Sequence, residues 1–365
     1  MSNTSSVKRN ANMELLRILS MIMVTFLHAL GKSDLLGNLA GGFAANVWLA
    51  WILEALSLSA VNIFMLISGY FLINSEFKPG RLIEIVAQVL FYAAGSFIIY
   101  SAFFTVEAEE KTLYAFLKYL LPVHMEVYWF ITAYVVIYMF LPVLSKGIKA
   151  VSQKQFGTVI VLLLIYECVF KTLLPVRLAK DTKGYEFLWY LIVFMIGAYF
   201  RLYGFKFLTS AWSGFALYFV GSFMILAETY VLQFINGRFG RLKEITAVPT
   251  EYNHLFVLCA AVGIFAAFVN LKPMKQGAAT VICALSPMAL GVYLLQESIT
   301  LRYRWQKWFL LPEALGEPVY IFLLKVFGAV LCMYVLGTAI DFVRGGLFSL
   351  VKLLVSKKKQ TNKAA

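Results

Sequence analysis

The chain has 365 residues, of which 61% are apolar and only 14% charged, whereas a soluble domain is roughly half apolar and about a quarter charged. That composition excludes an ordinary soluble domain. The net charge of +13 would otherwise suggest a nucleic-acid partner, but membrane topology accounts for it below, so no nucleic acid is implied. Four cysteines, Cys168, Cys259, Cys283 and Cys332, fall inside apolar runs without CxxC spacing, and read as small buried hydrophobes; no metal centre and no permanently bound cofactor is expected.

A bilayer core takes about 20 mainly apolar residues per helix. In chain order, ten stretches qualify: 13–32, 46–73, 81–104, 127–145, 157–175, 186–204, 211–236, 253–271, 278–296 and 318–343. The expected fold is an all-α polytopic membrane bundle forming a single integral domain. It comprises a cytoplasmic segment 1–12, a ten-span bundle over 13–344 and a basic cytoplasmic tail 345–365. The first stretch follows Lys8 and Arg9 as a signal peptide would. It is interrupted by Glu14, Arg17 and His28, with no small-x-small site after it, so it reads as a retained span. No span reads as broken by glycine or proline, and no inverted halves are visible. Between the third and fourth spans, "EKTLYAFLKYLLP" has apolar residues at helical spacing. An interfacial amphipathic helix and a plain solvated connection both fit it.

Charge gives the bundle a direction. With the N-terminus inside, one face collects seventeen basic residues, among them Lys78, Arg81, Lys146, Arg201, Lys272 and Arg344, against four acids, Glu14, Glu76, Glu84 and Asp341. The other face carries twelve of each sign. Positive-inside bias therefore puts both termini in the cytoplasm and the lipid bilayer around the spans.

Ionisable residues inside spans are costly and usually face a bundle interior or a wet cavity. Arg17 and His28 are eleven residues apart. At 100° per residue they share nearly one stripe, separated by roughly 16 Å along the axis. Glu14 lies three residues before Arg17 and can pair with it. Two readings fit this spacing. In one, Arg17 snorkels to lipid phosphate and His28 packs between helices. In the other, Arg17 holds an anionic donor from the cytoplasm and His28 serves as general base where donor and acceptor meet.

The stretch "RNANMELLRILSMIMVTFLHAL" resembles the opening of the acyltransferase-3 membrane family. "NIFMLISGYFL" is similar to that family's aromatic-x-x-x-Ser-Gly-aromatic signature, "VYWFITAYVVIYMFLPVL" to its Trp-containing span ending in proline, and "LSPMALGVYLLQE" to its late Gly-Val-Tyr-Leu segment. The resemblance runs in order across almost the whole chain. It implies about ten spans, a cytoplasmic N-terminus and a required Arg–His pair, which here is Arg17 and His28. It also implies an acyl-CoA donor, acetyl-CoA foremost, and a glycan or polysaccharide acceptor at a bacterial plasma membrane. Two departures stand out. Gln296 occupies a position where many relatives have His, and only Lys78 and Arg81 follow the second span, with Glu84 one turn on.

The expected function is therefore membrane O-acyl transfer. Arg17 and His28 are the catalytic residues, and Arg17, Arg81 and Lys78 bind the donor. Glu14, Ser68, Tyr70, Trp129 and Gln296 are possible lining. Ser68 with Gly69 reads as close helix packing rather than a nucleophile, since no G-x-S-x-G elbow is present. Trp129 and Tyr134 fit either contact with an acyl or glycan group or anchoring in an aromatic belt. His124 and Glu126 fit either acceptor contact or solvation, and His254 is expected at the membrane interface. Glu54, Glu167, Glu228, Lys171 and Lys325 are further charges within spans without assignable partners. Rival readings are a carrier or translocase of a polar or lipid-linked substrate, and a membrane sensor in which the pair is structural.

Overall fold

A computed structural model describes residues 9–103, 112–175, 181–240 and 243–364. The expected segment through Lys8 and parts of three outer connections, 104–111, 176–180 and 241–242, lie outside the described residues. The described residues are helices and connections, with no strand among them.

The first helix, α1 (Ala11–Gly31), begins where Asn10 caps it, its side chain accepting from the backbone N–H of Asn12 and Met13. Helices α2 (Ala45–Ser57) and α3 (Ala60–Leu72) together make the second span, interrupted at Leu58–Ser59. Then follow α4 (Pro79–Phe103), the short α5 (Leu113–Leu120) and α6 (Trp129–Ala150). The fifth span is α7 (Gln153–Leu164), a π turn over Ile165–Val169 and α8 (Phe170–Leu173). Helices α9 (Phe187–Tyr203), α10 (Ala211–Phe239) and α11 (Leu255–Asn270) follow. The ninth span is α12 (Gln276–Leu285) and α13 (Ala289–Gln296), and after α14 (Trp305–Trp308) the chain ends in α15 (Val319–Ala364).

Among the described residues, nine helical stretches are long and apolar enough to cross a membrane. The remaining expected span, the sixth in chain order, is α9, whose 17 residues are about 25 Å long at the standard rise. It falls a little short of the hydrocarbon thickness but is almost wholly wrapped by protein, with Trp189, Tyr190, Ile192, Val193 and Phe194 fully buried. The α5 helix has no buried residue, and Leu113, Tyr114, Phe116 and Leu120 are exposed on it. These are features of the interfacial helix rather than of an irregular loop.

One expectation is corrected. The ninth span is broken: Ser286–Met288 form a 3-10 turn between α12 and α13, because Pro287 cannot donate the helical bond its neighbours make. The basic tail continues α15 as helix, the stretch between Arg344 and Ser356 having no proline to stop it.

The core gathers on α1, which packs against α2, α3, α11, α12, α13 and α15. One of these neighbours, α3, is itself packed closely on α9. A Cβ at Gly69 would strike the Phe194 carbonyl, and one at Gly197 would strike that of Leu66. Two glycines let the backbones meet, as small residues do in membrane bundles.

Candidate active site along the first span

One cavity of about 360 Å³ runs beside α1. Arg17, Met21, Val24 and His28 line it, at steps of four, three and four, so the stripe inferred from spacing is the cavity wall. The opposite wall comes from α4, whose Arg81, Glu84, Ile85 and Gln88 form one helical face. Ser286 and Pro287, at the break in the ninth span, close a third side. Trp129, Tyr134, Tyr252 and Tyr293 supply aromatic surface.

At the basic end, Glu14 acts as a hub. Its Oε1 accepts from Arg17 at 2.8 Å and from Arg9 Nε at 3.1 Å, and the Ser286 hydroxyl donates to its Oε2. Arg9 also donates to the Cys283 carbonyl at 2.9 Å. A buried carboxylate thus fixes two guanidinium groups at the cavity mouth, both with donors to spare. Phe71 stacks under Arg17 at 5.8 Å, and Tyr138 under Arg81 at 5.6 Å.

At the other end, His28 Nε2 lies 3.4 Å from Glu297 Oε1. The Lys32 ammonium contacts the same oxygen, and Arg302 Nε is 3.9 Å from Oε2. Among the described residues, His28 Nδ1 has no hydrogen-bond partner. A carboxylate beside one ring nitrogen favours the proton there and leaves the lone pair on the other. His28 thus lines the cavity with one ring nitrogen toward Glu297 and the other buried in the protein. Gln306 Nε2 donates to the His28 carbonyl at 3.2 Å, closing the end of α1.

The residues singled out from the sequence divide clearly. Arg17, His28, Arg81, Ser68, Trp129 and Tyr134 line the cavity, and Glu14 lies behind Arg17. Ser68 spends its hydroxyl proton on the Phe64 carbonyl at 2.8 Å. Lys78 and Tyr70 are absent from the wall: Lys78 is exposed, and the Tyr70 hydroxyl accepts from Arg201 at 3.2 Å. Gln296 is fully buried behind His28, donating to Thr25 Oγ1 at 3.4 Å. His124 and Glu126 are exposed and stand off the cavity. His254 opens α11 as its N-cap and is fully buried in the protein, 3.3 Å from Glu228, the paired carboxylate making burial tolerable.

Other charges within spans also find partners. Lys171 donates at 2.5 Å to Asp181 and to Asn253, and lies 2.5 Å from Glu251, so its three donors meet three acceptors. Burial alone would raise the Asp181 carboxyl, but Lys171 and Asn253 hold it below the usual carboxylate range. This network anchors Asn253, and the neighbouring Tyr252 stacks on Trp129 at 5.7 Å in the cavity wall. Lys325 pairs with Glu317 at 3.0 Å. Glu54 is buried, and its Oε2 has no hydrogen-bond partner among the described residues.

Sequence reasoning missed Arg9, Gln88 and Glu297. Arg9 sat among the topology-setting charges, and Glu297 was counted as an outer acid. Adjacency to Gln296, in the segment where relatives carry His, was the one available signal for Glu297.

A family model described as an acyltransferase domain matches residues 10–338. No curated protein and no solved structure matches the chain.

Proposed function

The chain belongs to the acyltransferase-3 family of integral membrane acyltransferases, and from this we propose that it moves an acyl group, acetyl foremost, from cytoplasmic acyl-CoA to a hydroxyl of an extracytoplasmic or lipid-linked glycan. The membrane would be the bacterial plasma membrane. The observation that carries the reading is one cavity lined by the guanidinium groups of Arg9, Arg17 and Arg81 and by the imidazole of His28.

Arg9, Arg17 and Arg81 suit the phosphates of CoA, because a planar guanidinium pairs with phosphate oxygens through two parallel bonds. The acyl thioester then extends along α1 to His28. There the acceptor hydroxyl gives its proton to His28 Nδ1 while its oxygen bonds to the thioester carbonyl carbon. The tetrahedral intermediate collapses, the C–S bond breaks, and the imidazolium returns the proton to the departing sulfur. The products are an ester and free CoA thiol, with the base restored. Glu297 holds the other ring proton and stabilises the imidazolium. Lys32 and Arg302 lie against the same carboxylate. Trp129 and Tyr252 offer ring faces to an acceptor sugar.

The test compares ester content of surface glycans in cells making wild type, His28→Ala or Arg17→Ala, with insertion checked by membrane fractionation. Loss of esters by about 10²-fold or more in His28→Ala is expected. Unchanged esterification with normally inserted protein would falsify the catalytic role. The break at Pro287 is the feature that favours a carrier; accumulation of substrate without loss of esters would support that reading instead.

A further inference from the structure

Gln88 lies on the same face of α4 as Arg81 and Glu84, seven residues and thus about 10 Å further along the axis than Arg81. It therefore borders the middle of the cavity, between the arginine end and His28. Its Nε2 donates to Asp341 Oδ1 at 2.9 Å. A carboxylate paired with arginine only accepts, so the amide nitrogen must face it and the amide cannot flip.

Asp341 is itself immobilised. It is 2% exposed. Arg344 grips it through Nε at 2.7 Å and a second nitrogen at 2.9 Å, and the Tyr92 hydroxyl donates to it at 3.1 Å. The junction exists because residue 291 is glycine: a Cβ there would strike both Tyr92 and Asp341. Among the described residues no group donates to the remaining amide atom, Gln88 Oε1, on a side chain that lines the cavity. One acceptor of fixed direction is thus offered to whatever fills the cavity midway. Asp341 and Arg344 lie beyond residues 10–338 matched by the family model, while Gln88, Tyr92 and Gly291 lie within them.

We propose that Gln88 is a donor-binding residue whose Oε1 accepts a hydrogen bond from an amide N–H of the pantetheine arm of acyl-CoA, and that Asp341 is the positioning residue that holds it so. This rests on the acyl-CoA reading above. A thioester reaching His28 from the arginine end carries that arm through the middle of the cavity. Its amide N–H groups lose water on entry and need an acceptor there. Asp341 never touches the donor; its part is to keep the amide oxygen, rather than the nitrogen, toward it.

The experiment uses the purified full-length protein in lipid nanodiscs with two donors of equal length: S-acetylpantetheine, and the acetyl thioester of an oligoether thiol that has no amides. Wild type is expected to favour the amide-bearing donor by about tenfold in kcat/KM, the scale of one hydrogen bond in a dry site. Gln88→Leu should erase that preference and raise KM for acetyl-CoA about tenfold, leaving kcat within about twofold. Asp341→Asn should weaken the preference, because an asparagine can donate and lets the glutamine turn over. A brace that merely ties α4 to α15 would lower activity toward both donors alike. An unchanged ratio in a Gln88→Leu protein still active with acetyl-CoA would overturn this inference alone. A wild type that uses acetyl-CoA no better than no donor would sink it together with the donor reading.

Discussion

At the basic end of α1, Glu14 gathers Arg9, Arg17 and Ser286; at the other end, Glu297 gathers His28, Lys32 and Arg302. Both ends use a nearly buried carboxylate to arrange cationic or proton-binding groups around the cavity. They differ in where the carboxylate comes from. Glu14 sits three residues from Arg17 on one helix, so the helical repeat itself makes the pair. Glu297 comes from the end of the ninth span, and only the folded bundle brings it to His28. The first carboxylate spreads its charge over two guanidinium groups that face an incoming ligand. The second is shared between an imidazole and an ammonium, and so bears on proton transfer. On the proposed mechanism, the local carboxylate serves binding and the distant one serves chemistry.

That contrast can be broken by neutralising each carboxylate without changing its size. Glu297→Gln is expected to have the larger effect, lowering kcat by about 10²-fold with donor KM little changed, because it removes the group that orients the imidazole and supports its charge. Steady-state kinetics of purified protein would check this; an unaltered kcat would remove Glu297 from the mechanism. Glu14→Gln should act on the other parameter, raising donor KM about fivefold with kcat nearly intact, since Arg9 and Arg17 lose their common anchor but keep their charge. If both variants change the same parameter, the two ends are not functionally distinct. The smallest effect is expected at the junction behind α4. Gly291→Ala should cost about 1–3 kcal/mol as its methyl group pushes on Tyr92 and Asp341. A lowered melting temperature in detergent, with residual transfer still dependent on His28, would be the signature.

The same contrast explains what could be read in advance. Apolar length found the nine candidate membrane helices among the described residues and the shorter α9, and charge within the first span found Arg17, His28 and Glu14. The expectation of unbroken helices failed at Pro287, where one missing N–H outweighs the apolar character of the flanking residues. Ser68 and Tyr70 are both expected as lining, yet they stand two positions apart. Two residues on a helix are about 200° apart, so one lines the cavity and the other packs against Phe200, Phe265 and Arg201. Gln88 and Asp341 are 253 positions apart, and neither is unusual until the other is beside it. Arg9 lay hidden among charges whose topological role was sufficient to account for them.

The backbone contact of α3 with α9 has a consequence for substrate range. Helix spacing at Gly69 and Gly197 is already at its minimum, so the wall bearing Phe64 and Ser68 has a set gauge. Room for a longer acyl chain has to come from trimming a lining side chain such as Phe64, while the skeleton behind it holds its dimensions. A bulkier residue at either glycine would spread the two helices and alter the bore along its whole length. On the proposed reading, chain-length selectivity is therefore adjustable one side chain at a time, on a frame that tolerates no adjustment itself.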